Sequence, residues 1–225
     1  MKPIIMSTED VRVLLDGRKT TVRMPIRTPH GGALEVHADI AGVPRLCERC
    51  GDRCRGLTPP YEIGDVLWVR ETWGDYGGCT SYYVYRADYP YGAKGYWHEK
   101  EHINWCDFPK WNSPVTMPRE ATRLFLRVKD VRVERVRDIS NADRLAEGIR
   151  LIANSANDLL NDYKTAEMGR EAFKARWDAR NAKRGYGWDS NPWVWVIEFE
   201  RTPSGAIGPE QDGTAPNGDK GATHE

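Results

Sequence analysis

Gly17-Arg18-Lys19-Thr20-Thr21-Val22-Arg23 places three cations, two hydroxyls and a helix-stopping glycine within seven residues. Just before it, Ser7-Thr8-Glu9-Asp10 followed by Val11, Leu14 and Leu15 supplies an N-cap, an acidic first turn and an apolar stripe at helical spacing. A helix is expected there, with Gly17 as the left-handed residue that ends it, and an extended segment is expected to follow. Arg18 and Lys19 then emerge at a helix C-terminus. The dipole there favours cations by about 0.3–1 kcal/mol, so an ordinary stabilised helix end and an anion-holding site share this pattern.

Three further stretches lie at intervals downstream: Ile63-Gly64-Asp65-Val66-Leu67-Trp68-Val69, Ala146-Glu147-Gly148-Ile149 and Val196-Ile197-Glu198-Phe199. Taken in order with Gly17-Arg18-Lys19-Thr20, they resemble an ASCH domain of the phage and prophage type, from Met1 to about Arg201. The resemblance implies an α+β fold, a PUA-like small β-barrel flanked by helices with a cleft between them. It also implies a partner: RNA, single-stranded nucleic acid or a modified nucleoside. Small ASCH enzymes hydrolyse the acetamide of N(4)-acetylcytidine with a lysine, a threonine and a glutamate. By resemblance, Lys19 is the lysine and Glu147 the glutamate. The threonine position holds Val22, which leaves Thr21 or Thr20 as substitutes, although adjacent strand residues face opposite ways.

A chain of 225 residues accommodates one domain with insertions. We place it at residues 1–201, with insertions at about 28–60 and 74–115 and a disordered tail at 202–225, where Gly, Pro, Thr, Asp and Asn replace apolar residues. Lys+Arg and Asp+Glu both number 33, so net charge gives no sign of bulk attraction to a polyanion and any nucleic-acid surface must be a local basic patch. No apolar run is long enough to span a bilayer and the N-terminus has no apolar signal core, so no membrane partner is expected and the compartment is read as cytoplasmic, that of a bacterial host if phage-encoded. The cluster Cys47-x-x-Cys50-x-x-x-Cys54 points to a metal or free thiols before disulfides in such a chain. It is a candidate structural zinc set, with Cys79, Cys106, His30 or His37 as a fourth ligand; the alternative is reduced structural cysteines, and no cofactor is otherwise required.

Residues 28–60 show no period and read as a long loop or a zinc-clipped insertion. Val66 to Glu71 reads as a buried inner strand, and Ser81 to Ala87 reads as a strand within the aromatic-rich insertion. Thr122–Val128 and Val131–Val136 each alternate, which suggests an antiparallel pair turning at Lys129-Asp130. Ser140 with Asp143 opens a short helix that Gly148 closes, putting Glu147 at its C-terminal end, against the dipole. Ala156, Leu159, Leu160 and Tyr163 share one helical face; Ala166, Phe173 and Trp177 mark a longer helix ending near Gly185; Trp193–Phe199 reads as the last strand.

Two functional readings follow, with an accessory protein whose cleft meets another protein as a third. In the favoured one the cleft binds nucleic acid or a modified nucleotide: Lys19, Arg18, Thr20, Arg23 and Arg70 hold phosphate or a base edge, and Trp68, Trp73 or Tyr85 stack. The alternative is an amidohydrolase acting on an N(4)-acylated cytidine-type nucleoside, with Lys19 as nucleophile or base, Glu147 as proton shuttle and Thr21 as the hydroxyl. Val22 favours the binder.

Overall fold

The computed structural model describes residues 1–28, 33–38, 44–50, 52–76, 82–89, 110–149 and 162–202. In chain order the elements are β1 (Lys2–Ile5), α1 (Thr8–Leu15), β2 (Thr21–Pro25), β3 (Ala33–Ala38), β4 (Pro44–Cys50), β5 (Arg53–Gly56), β6 (Val66–Arg70), β7 (Trp73–Tyr76), β8 (Tyr82–Tyr85), β9 (Phe125–Arg135), α2 (Asn141–Ala146), α3 (Asp162–Asn181) and β10 (Trp193–Thr202). The fold is α+β. A five-stranded mixed sheet in the order β1-β6-β9-β10-β2 carries the core; β1 runs parallel to β6 and the remaining pairs are antiparallel. Among the described residues no ladder joins β1 to β2, so the expected barrel is not closed.

Both faces of this sheet are covered. On one face Ile4, Leu67, Val69, Leu126, Val128, Ile197 and Phe199 pack with Val11 and Leu14 of α1. A second cluster joins Val194 and Val196 of β10 to Phe173 and Trp177 of α3 and to Trp188. Phe173 stacks on Trp177 with ring centroids 6.2 Å apart and meets Trp188 edge-on at 6.0 Å. These rings fasten α3 to the sheet by burying large apolar area in defined geometry.

Residues Phe125–Arg135 form one strand, not the expected pair turning at Lys129-Asp130. Asp130 pairs with Glu198 while Val128 pairs with Phe199, so the register shifts there and Lys129 is the extra residue of a β-bulge. A bulge reverses the alternation phase without reversing the chain, which is why two patterns flank it. Residues 28–60, expected as a loop, contain the three-stranded sheet β3-β4-β5. Every residue of β5 is exposed, so it carries no apolar alternation from which a strand could be read.

Cys47 on β4 and Cys54 on β5 are joined in a disulfide. This corrects the preference for metal or free thiols at these two positions: in the bonded state neither offers a thiolate, and the side chain of Cys50 lies outside the described residues, as do Cys79, Cys106, His30 and the side chain of His37. Among the described residues no group of three or more His, Cys, Asp or Glu is arranged to hold a metal ion. The helix expected around Ala156–Tyr163 falls mostly, and the tail beyond Thr202 wholly, outside them. Among them, no helix is long and apolar enough to cross a membrane.

Candidate functional site

The Gly17–Arg23 stretch folds largely as its composition requires. Ser7 caps α1 by accepting from the Asp10 amide, and Gly17, at φ +72°, takes the left-handed conformation that releases the chain from the helix. The Arg18 and Lys19 amides both donate to the carbonyl of Val13. The Thr20 amide then donates to the Ala146 carbonyl at 2.8 Å, tying the stretch to the end of α2. On the α2 side, Ser140 and Asp143 form a capping box, and Gly148, at φ +82°, turns the chain immediately after Glu147. The C-terminal ends of α1 and α2 are therefore tied together, and the residues just beyond them contribute one charged side chain each.

Those side chains are Lys19 and Glu147, 128 residues apart in sequence. Lys19 Nζ lies 2.7 Å from Glu147 Oε2, 3.2 Å from the Glu147 carbonyl and 3.4 Å from Asp10 Oδ1, and its side chain has no exposure to solvent. Arg23 Nη1 approaches Glu147 Oε1 at 3.4 Å, while its Nη2 lies 3.1 Å from Glu134 and 3.4 Å from Asp143. Asp10, 3% exposed, also receives Arg176 and Arg180 from α3 and the Ser7 hydroxyl at 2.9 Å. The cost of removing these ions from water is met only because each has partners in direct reach.

Burial pushes the Lys19 ammonium below its ordinary value, against the pull of Glu147 and with Arg180 and Arg23 adding to the depression. Burial likewise lowers Arg176, to about 10, with Arg180 contributing. Asp143 moves the other way from what burial alone would do: hydrogen bonds from Ser140 and the charges of Arg23 and Arg132 hold it below 3.8. A carboxylate depressed on folding contributes stability that is complete above its unfolded value and is lost as pH falls through the folded one. Asp143→Asn is therefore expected to lower the urea midpoint at neutral pH by the equivalent of about 1 kcal/mol. The gap to the parent protein should close as pH falls below 3.8. Parallel midpoints at every pH would contradict the role given to Asp143.

Beside this network opens a cleft of about 1220 Å³. Both edge strands line it, β1 through Pro3 and Ile5 and β2 through Val22 to Pro25, and α3 forms a further wall. Glu147 and Arg23 reach it; Lys19 is not among its lining residues and sits behind Glu147. Val22 lines the cleft with Met24 and Trp195, whereas Thr21 does not, and the Thr21 hydroxyl is buried without a hydrogen-bond partner among the described residues. Strand alternation thus turns Thr21 away from the position Val22 occupies, and the hydroxyl of the expected trio is missing from the cleft.

The other expected contacts divide. Arg70 lines the cleft and lies over the Trp68 ring at 5.2 Å. Arg18 and Thr20 are exposed, Arg18 paired with Asp16, and neither lines it. Trp68 and Trp73 are not lining residues, and Trp73 meets Tyr83 edge-on. Tyr85 is committed elsewhere: its hydroxyl donates to the Ala121 carbonyl at 2.6 Å and Arg123 covers its ring at 3.9 Å. Sequence reasoning missed Asp10, Trp195 and the α3 arginines as site residues. Only the four-residue spacing of Arg176, Arg180 and Arg184 could have signalled the last of these. No family model, curated protein or solved structure matches this chain.

Proposed function

We propose that this cleft is an ASCH-type site, formed by a curled, open PUA-like sheet, that binds a nucleobase of a modified nucleoside or of single-stranded nucleic acid. The observation that carries this reading is the placement of Glu147. It is the one residue of the Lys19–Glu147 pair that reaches the cleft, its carboxylate is held between Lys19 and Arg23, and the same cleft has apolar lining from Val22, Met24 and Trp195. A fixed carboxylate accepts from an exocyclic amine, as acidic side chains do from the N4 amine of cytosine. An indole lining the same cleft offers a stacking surface worth about 1–3 kcal/mol per base.

The second reading, hydrolysis of an N(4)-acylated cytidine-type nucleoside, is favoured by the pairing of Lys19 with Glu147 in a buried setting that weakens the ammonium's hold on its proton. In that reaction Glu147 takes a proton from water, the water oxygen attacks the acyl carbon, the C–N bond breaks and the proton passes to the leaving amine. Lys19, behind Glu147, acts through that carboxylate. Val22 supplies no donor for the developing oxyanion, a loss worth about 3–4 kcal/mol in hydrolases that use one, so binding outweighs turnover.

Titration of the full chain with cytidine and N(4)-acetylcytidine, followed by tryptophan fluorescence with chromatography of the mixture, tests both readings. Saturable binding weakened about tenfold or more in Glu147→Gln is the expected result, since one charge-assisted hydrogen bond is lost. Equal binding by both proteins would remove Glu147 from the site. Cytidine released from the acetylated nucleoside by the parent protein alone would establish the second reading.

A further inference from the structure

Arg176 and Arg180 lie one turn apart on α3, and Arg184 follows four residues later in the 3-10 turn that extends it. All three line the cleft that Glu147 reaches. Arg27 and Arg70 line it as well, against the acids Glu9, Asp10 and Glu147. In a chain whose formal net charge is zero, this is a local excess of positive charge.

The arrangement at Asp10 sharpens the point. Arg176 and Arg180 converge on this single buried carboxylate, with Arg180 Nη2 also 2.7 Å from the Ser7 hydroxyl. Two guanidiniums on one carboxylate leave a net positive charge, and each guanidinium retains donors beyond those it spends there. The like charges also oppose each other: after burial, Arg180 is the next cause that lowers Arg176. An anion placed across both would relieve that repulsion and accept in a bidentate manner, which is the geometry in which arginine recognises phosphate. Asp10 holds the pair in place from α1.

We infer that Arg176, Arg180 and Arg184 form a phosphate track beside the base site, so that the ligand is a strand carrying successive phosphates and not a free nucleoside. This rests on the base-binding reading of the cleft. Arg176 and Arg180 are about 6 Å apart along α3 at a rise of 1.5 Å per residue, so each serves a separate phosphate, and Arg184 extends the row into the 3-10 turn beyond the helix end.

The test compares cytidine, its monophosphate and a fluorescein-labelled oligocytidylate on the full chain, with Arg184→Gln and Arg180→Gln as variants. Arg184 is exposed and stands apart from the Asp10 network, so its replacement leaves the fold intact. Affinity is expected to rise from nucleoside to monophosphate to oligonucleotide. The logarithm of oligonucleotide affinity should fall with that of salt concentration, with a slope of about −0.7 per phosphate contact. Arg184→Gln should weaken the oligonucleotide several-fold, flatten the slope by about 0.7 and leave cytidine unaffected. An oligonucleotide that binds no more tightly than cytidine, or a salt slope that neither variant changes, overturns the track while leaving the base site standing. Salt-dependent oligonucleotide binding without any cytidine binding supports the track and counts against the base site, and absence of all binding overturns both.

Discussion

Lys19→Met is expected to cost about 3 kcal/mol of folding stability, read as a lower urea midpoint at neutral pH. Methionine keeps an unbranched stem in the buried space and removes the charge. What remains is Glu147 without its 2.7 Å partner and Asp10 without its 3.4 Å one, both 5% exposed or less. Arg23 and Arg180 stay beside these carboxylates, which keeps the loss below the upper end of the range for a broken buried pair. Burial depresses the Lys19 ammonium even with Glu147 in contact, so desolvation offsets much of what the pair gains by attraction. Lys19→Met combined with Glu147→Gln should therefore cost less than the sum of the two single changes, by about 1 kcal/mol or more. Additive costs, or a single-variant loss below about 1 kcal/mol, would contradict the network.

Gly148→Ala is expected to be as severe and to act on the site through the backbone. Gly148 has φ +82°, and a Cβ placed there would stand 2.2 Å from Val13 Cγ1 and 3.1 Å from Val13 Cβ. Val13 is β-branched and belongs to α1, so it has little rotamer freedom with which to yield. A left-handed conformation costs a non-glycine residue about 1–2 kcal/mol, and forced overpacking adds about 1–3 kcal/mol. The contact separates the ends of α1 and α2, and with them Lys19 from Glu147. Thermal unfolding should show the loss, and nucleoside affinity should fall with it. A variant of unchanged stability would mean that the two helix ends are not tightly apposed.

The helix ends are what the sequence disclosed most plainly, because capping is local chemistry. Ser7 with Gly17, and Ser140 and Asp143 with Gly148, each place a side chain or a positive φ within a few residues of the group it satisfies. The inner strand Val66–Arg70 and the last strand were equally readable from their apolar runs. Strand β1 was not, since four residues gain strand identity only by pairing in parallel with β6, more than sixty positions away. The Lys129 bulge imitated a hairpin, and the exposed β5 imitated a loop, for the reasons that periodicity fails whenever register or burial changes.

For the site, resemblance named both Lys19 and Glu147, and in the structure the two side chains lie 2.7 Å apart. It did not disclose that Lys19 is enclosed behind Glu147, because burial is set by α1 and α3 closing over it. The aromatic residues show the converse problem. Trp68, Trp73 and Tyr85 are rich in stacking potential by composition, but each is engaged by arginine or a neighbouring tyrosine and none lines the cleft. Trp195, hidden in the last strand as one more apolar residue, lines it instead, together with Trp177 of α3.

The central claim is that the cleft walled by Val22, Trp195 and Glu147 holds a nucleobase. It is tested most directly by following the nucleoside titration through the indole N–H resonances of the tryptophans by NMR. The account predicts saturable shifts at Trp195 and Trp177, which line the cleft, and none at Trp68 and Trp73, with the response lost in Glu147→Gln. Shifts confined to Trp68 and Trp73, or no shift at nucleoside concentrations that saturate the fluorescence change, would contradict it.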